Sequence, residues 1–354
     1  MKQNKIILAA LIIFSLAGCA TTETDSTFIE SGTPEIMLFW PPPPQTARIQ
    51  YLKTIAGPAD IGVKKTWFSK AIDTILGKDS AEGLLLRPYG ISANMERLLI
   101  ADPGIHALHV FDTKKRKYFA IHSANGEDLI SPVGVAIDKN GDIYFSDSML
   151  RKIFVFNSEG DYLKSIVPPE AFIRPTGISL DADRVYIIDT HAHAVFVFSK
   201  KDAGFLFKFG KNGSEKGEFN FPTHIFTGRD NLLYVTDSMN FRVQVFDRDG
   251  TFISAFGKHG DGSGDFSKPK GVAVDSEGHI YVVDADFDVV QIFDGSGGLL
   301  LAFGSSGTGA GELFLPAGIF IDENDKIYLA DSYNSRIQIF QYLKEIKQGD
   351  LKQQ

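Results

Sequence analysis

The chain has 354 residues, 44% hydrophobic and 12% aromatic, enough for one large or two medium domains with a sizeable core. Its 36 Lys and Arg stand against 44 Asp and Glu, a formal charge of −8. An acidic chain gains nothing from counterion release on a polyphosphate, so a general nucleic-acid binder is disfavoured.

At the start of the chain, the positive Lys2 and Lys5 precede an apolar stretch from Ile6 to Leu16. The stretch is too short to span a bilayer and has the form of a secretory leader. It runs into Leu16-Ala-Gly-Cys19, which resembles the bacterial lipobox, cleaved before a Cys that is then acylated. Cys19 is the sole cysteine, so no intrachain disulfide can form despite an exported location. Residues 1–18 are expected to be a signal peptide and Cys19 a lipid anchor to the membrane. Ala20, rather than Asp, follows the Cys. In a cell with two membranes, the sorting preference of such lipoproteins then implies the outer one, with the protein facing the periplasm.

Residues 19–47 are expected to form a tether. Its first part is rich in Thr, Ser and acids, with little to bury, and Pro41 to Pro44 read as a stiff polyproline II spacer. Ile49 to Gly57 has the pattern of an outer strand detached from its repeat, and it is expected to complete the last one. The alternative is local closure by Tyr342 to Ile346. Trp67, Phe68, Ala71, Ile72, Ile75 and Leu76 recur at helical spacing, which predicts an amphipathic helix over about 65–76 that ends at Gly77 and packs on its own domain.

The rest of the chain repeats. Pro88, Pro132, Pro175, Pro222, Pro269 and Pro316 fall 43 to 47 residues apart. Each opens a short alternating strand, followed by a turn and a second strand ending in Asp, as in Ile280-Tyr-Val-Val-Asp284. Third strands such as Val243-Gln-Val-Phe246 and fourth strands such as Leu299-Leu-Leu-Ala-Phe303 complete most units. A period in the forties with four strands per unit predicts an all-β, six-bladed β-propeller of four-stranded antiparallel blades, because such a unit buries its faces only against its neighbours. The propeller is expected over residues 48–342, with blades from 84 and a polar tail at 343–354.

Asn240-Phe-Arg-Val-Gln-Val-Phe246 and Asn334-Ser-Arg-Ile-Gln-Ile-Phe340 resemble NHL repeats, as do the glycine-rich connectors Phe256 to Phe266 and Phe303 to Leu313. Ala107, Ala194 and Val289 stand where that pattern has Arg, and Lys152 does so in blade two. The resemblance implies an NHL/TolB-like propeller. Its members include a peptide-amidating lyase, RNA-binding modules and exported proteins of the present kind, so it specifies fold far better than function.

Candidate functional residues come from departures from the repeat. Asp102, Asp147, Asp189, Asp237, Asp284 and Asp331 recur in every blade and are expected to cap turns rather than catalyse. His224 stands where the other five blades have Gly, with His191 and His193 in the neighbouring loop and Asp286 and Asp288 in the matching loop of blade five. These five could hold zinc or calcium in a lyase- or lactonase-like metalloenzyme, the second reading. The first reading is a non-catalytic, monomeric module with no cofactor. Arg87, Arg174, His224, Lys268 and Lys270 would form a channel-mouth rim that binds an envelope protein or a small anionic ligand.

Overall fold

The computed structural model describes residues 37–63 and 83–344. Cys19 with the leader, the helix expected near 65–76 and the end of the polar tail lie outside the described residues. The structure is a six-bladed β-propeller of antiparallel sheets. Blade one is built from Gly90–Ala93, Arg97–Asp102, Ala107–Asp112 and Lys117–Ile121. Blade four, a fuller example of the repeat, contains Pro222–Thr227, Leu233–Asp237, Arg242–Phe246 and Phe252–Phe256. In blades two to five the inner strand begins at the repeated Pro, a residue that fits a strand's first position because it has no N–H to offer a ladder.

The two middle strands of each blade carry apolar residues on both faces, as buried strands must. Six buried clusters result, one at each junction between neighbouring blades. Between blades one and two, for example, Leu99, Val110, Ile143 and Phe145 interlock, and between blades three and four Val197, Phe219, Val235 and Phe246 do. Fully burying each such side chain contributes roughly 1.5–3 kcal/mol. Stability therefore resides in the junctions, and the ring must close for every blade to be covered twice.

Closure occurs in blade six. Ile49–Ile55 pairs antiparallel with Arg336–Tyr342, setting Tyr51 opposite Phe340 and Ile55 opposite Ile337. Outside it, Phe39–Trp40 adds a fifth strand, and the Trp40 ring meets Phe303 at 5.9 Å and Phe340 at 5.8 Å. This corrects the expected tether boundary, because packed chain begins before residue 47. The Pro-rich segment also turns instead of extending as a spacer: Gln45 N donates to Pro42 O, and Arg48 N donates to Trp40 O. The apolar Phe39 and Trp40 provide the reason, since they gain more from blade six than from solvent.

At the axis the blades nearly touch through backbone. A Cβ on Gly134 would stand 2.0 Å from the Thr176 carbonyl oxygen, and one on Gly90 or Gly318 would stand 2.1 Å from the carbonyl of Val133 or Tyr89. No side chain fits there. At the junction of blades four and five, His224 occupies that position instead.

Candidate functional site

The propeller presents two different ends. On one, called here the proline face, lie the blade prolines and the loops between second and third strands. On the other, the turn face, lie the turns between first and second strands. Each turn is built around a carboxylate or amide. Asp275 Oδ1 accepts from the N–H groups of Glu277 and His279, and Asp322 Oδ1 from those of Asn324 and Lys326. The repeated Tyr of the second strand donates to the same side chain: Tyr186 to Asp181, Tyr234 to Asp230, Tyr281 to Asp275 and Tyr328 to Asp322. Burial, with the facing carboxylates, pushes these phenols up, so they remain donors.

On the proline face, the recurring strand-end Asp residues are fully buried and hold the chain that enters each blade. Asp147 accepts from the backbone N–H groups of Ile130, Ser131, Met149 and Leu150. In blades four and six the Asp also takes an Arg: Arg242 Nε donates to Asp237 at 2.8 Å and Arg336 Nε to Asp331 at 2.7 Å. The other guanidinium nitrogens of these two Arg reach the carbonyls of the glycine-rich connector, such as Ser214, Glu215 and Glu218. The six acids thus serve as acceptors for the chain that enters each blade, and in blades four and six for an Arg as well.

The five residues of the metal reading are not brought together, and among the described residues no group of three or more His, Cys, Asp or Glu is placed to hold a metal ion. His193 and Asp288 share one structural position with His106, Arg151, Phe241 and Ser335, a residue per blade with φ between 53° and 57°. From it His193 Nδ1 accepts from Phe221 N at 3.2 Å and Asp288 Oδ1 from Leu315 N at 2.7 Å. Both side chains fasten one blade to the next. His191 meets Phe221 edge-on, Asp286 pairs with Lys268 at 3.4 Å, and His224 lies at the axis. Sequence position alone hid this, because the position carries His in two blades and Arg, Phe, Asp and Ser in the others.

Arg87, Arg174 and Lys268 share the proline face, each exposed just before its blade proline. Arg87 lies over the Tyr333 ring at 5.2 Å. Arg174 has no side-chain partner among the described residues. Lys270 sits deeper, its amine 5.8 Å from the centre of the Tyr89 ring. Tyr89, in turn, stacks on His224 at 5.3 Å with an interplanar angle of 22°. Blades one and four are opposite in a ring of six, so this pair crosses the channel and closes it at the proline face. Burial and the charge of Lys270 push the His224 imidazole down to about 3, which keeps it neutral.

Sequence reasoning missed the apolar character of this face. Leu86, Ile130, Ile173 and Phe314 are exposed two residues before the blade prolines, with Phe221 beside them. Met149, Met239 and Tyr333, between 51% and 64% exposed, share one position in the loops between second and third strands. At the other end Met95 is exposed in a turn, while Leu163, Leu206, Ile253 and Leu300 are exposed one per blade near the start of the outer strands. The signal was present in the alignment of the repeats, but apolar residues there look like core until the strands they flank are placed.

A family model described as a 6-bladed beta-propeller matches residues 227–291 and 276–348. Protein brain tumor of Drosophila melanogaster is 28% identical over 135 residues, 36% of this chain and 13% of that protein, so the chain spans a small part of this relative. Among solved structures, a streptogramin B lyase superposes with a TM-score of 0.56 at 13% identity, covering 73% of this chain and 94% of the other. A gluconolactonase of Xanthomonas campestris gives a TM-score of 0.56 at 13% identity, with 73% and 87% covered. A protein of unknown function from Bacteroides thetaiotaomicron gives a TM-score of 0.58 at 16% identity, with 83% and 75% covered. At these identities the likeness concerns the fold.

Proposed function

We propose that the protein is a binding module that docks a protein partner on its proline face, held near a membrane by an acylated Cys19. The observation that carries this reading is the gathering of exposed apolar side chains on that one face, among them Met149, Met239, Phe314 and Tyr333. Apolar side chains concentrated on one surface of a soluble domain mark an interaction site. Arg87, Arg174 and Lys268 stand among them, so the complementary surface is an acidic one with apolar anchors, of the kind an envelope protein can present. Arg and Tyr, as in Arg87 and Tyr333, are also residue types enriched at the energetic centres of interfaces. Reversing charge in an Arg87→Glu, Arg174→Glu, Lys268→Glu variant tests the reading. Capture of one defined partner from envelope extracts should be strong for the full chain, weaken at high salt and fall at least tenfold in the variant. Capture that is indifferent to the three reversals would overturn it.

A further inference from the structure

The glycine-rich connectors into blades four, five and six share one build. Each closes on itself through the same parallel bridge, Asn212 with Phe219, His259 with Phe266 and Ser306 with Leu313. A third-strand Gln clips each loop: Gln244 Oε1 accepts from Gly217 N, Gln291 Oε1 from Gly264 N and Gln338 Oε1 from Gly311 N. The three loops therefore present equivalent carbonyls. At blade four those of Ser214, Glu215 and Glu218 receive the Arg242 guanidinium at 2.8, 2.9 and 2.9 Å. At blade six those of Thr308, Gly309 and Glu312 receive Arg336 at 2.7, 2.7 and 2.8 Å. At blade five the equivalents are Asp261, Gly262 and Asp265, but the third strand brings Val289 in place of the Arg, and Phe287 stands in place of Asn240 and Asn334. A hollow of about 240 Å³ is left there, open to solvent, with Asp261, Gly262, Phe287, Val289, Leu299 and Ala302 in its lining.

We infer that this hollow is a binding site for a guanidinium group on an alkyl stem, supplied from outside the chain by the arginine of another polypeptide or by a free arginine-like solute. The cradle is already set. Gly262 O accepts from Asp265 N at 3.0 Å, just as Glu215 O accepts from Glu218 N at 3.1 Å beneath Arg242. Asp265 O accepts from Gln291 Nε2 at 2.8 Å, as Glu218 O does from Gln244 Nε2 at 2.7 Å. Both carbonyls thus keep the acceptor capacity that the guanidinium uses in blade four. A planar fork of N–H groups meets several carbonyls at fixed angles, whereas an ammonium is a point charge, so the cradle selects arginine over lysine. The methylene stem suits Val289, Leu299 and Ala302, and the Phe287 ring offers a face on which a guanidinium can stack. Charge favours a cation too. Asp261 is exposed and has no ion pair among the described residues. Asp284 is fully buried and accepts from the backbone N–H groups of Ser267, Lys268 and Asp286, where Asp237 and Asp331 also take an Arg. Burial pushes its carboxyl up.

The test is calorimetric titration of the full chain at low salt with Nα-acetyl-arginine methylamide, which stands for an arginine within a polypeptide, and with free L-arginine. Each is paired with its citrulline counterpart, in which an oxygen replaces one guanidinium nitrogen and the charge is lost. The expected result is saturation of one site by an arginine form, at least about tenfold tighter than by its citrulline counterpart. Tighter binding of the blocked form assigns the site to a partner's arginine, and tighter binding of the free amino acid assigns it to a solute. Val289→Arg fills the cradle from within, as blades four and six do, so it should fold, melt no lower than the unaltered chain and bind neither form. Asp261→Lys, a change at an exposed position, should weaken binding about threefold and serves as the check should Val289→Arg not fold. No saturable binding of either arginine form, equal binding of arginine and citrulline, or binding that persists in folded Val289→Arg would overturn the inference, as would indifference to Asp261→Lys.

Discussion

The close approach of backbones at the axis makes a graded prediction. Gly134, Gly90, Gly271 and Gly177 hold equivalent positions, yet a Cβ would meet the next blade's carbonyl oxygen at 2.0, 2.1, 2.7 and 2.9 Å respectively. None of the four has a left-handed φ, so an Ala substitution tests space rather than backbone conformation. Ordinary carbon–oxygen contact lies above about 3 Å, so Gly134→Ala must push two blades apart by ~1 Å. A closed ring resists that, because the displacement must be shared by junctions that are already dense. Overpacking of this kind costs about 3 kcal/mol, which in a domain of this size lowers the melting temperature by ~6–12 °C. Gly177→Ala, with nearly an ångström more room, should cost about 1 kcal/mol or less. Denaturant and thermal melts of the four Ala variants should rank them by distance. Equal costs at all four positions, or a neutral Gly134→Ala, would refute the reasoning that backbone contact at the axis sets the ring.

Three further outcomes follow from particular contacts. Asp147→Ala removes the acceptor of four backbone N–H groups and should cost about 3–5 kcal/mol, with Asp147→Asn intermediate, in denaturant melts. Trp40→Ala removes the ring that lies against Phe303 and Phe340 and should cost about 2 kcal/mol, whereas a chain whose residues 37–40 were mere tether would show no change. His224 is held neutral, with its pKa down at about 3, while the unfolded side chain titrates near 6.5. The unfolded state therefore binds the extra proton between those values, so this residue's contribution to stability is full above pH 6.5 and falls progressively toward pH 3, by up to about 5 kcal/mol. His224→Phe should flatten this part of the stability-versus-pH curve, and a curve of unchanged slope would contradict the assignment.

The fold was legible in the sequence because its unit repeats. Each Pro, each Tyr two residues into a second strand and each terminal Asp is written six times or nearly so, and averaging over repeats suppresses the ambiguity of any single strand. The candidate site was much less so. His193 and Asp288 stood out as departures from the repeat, yet what the position has in common from blade to blade is a left-handed backbone, which His, Arg, Phe, Asp and Ser all adopt here. Tyr89 drew no notice because the residue after the blade proline varies freely. Its meaning arises from His224 on the opposite blade, more than a hundred residues away in the chain. Phe39 and Trp40 were hidden by the prolines that follow them, whose composition resembles a spacer.

The most direct test of the account is site-specific photo-crosslinking in cells that produce the full chain, with the crosslinker at Met239 on the proline face or at Met95 on the turn face. Both side chains are exposed, at 53% and 74%, so the two positions differ in face and not in access. The account predicts a discrete crosslinked partner from Met239 and none from Met95, with the Met239 product lost when Arg87, Arg174 and Lys268 are reversed in charge. A discrete partner from Met95 alone would contradict the claim that the proline face is where this propeller binds.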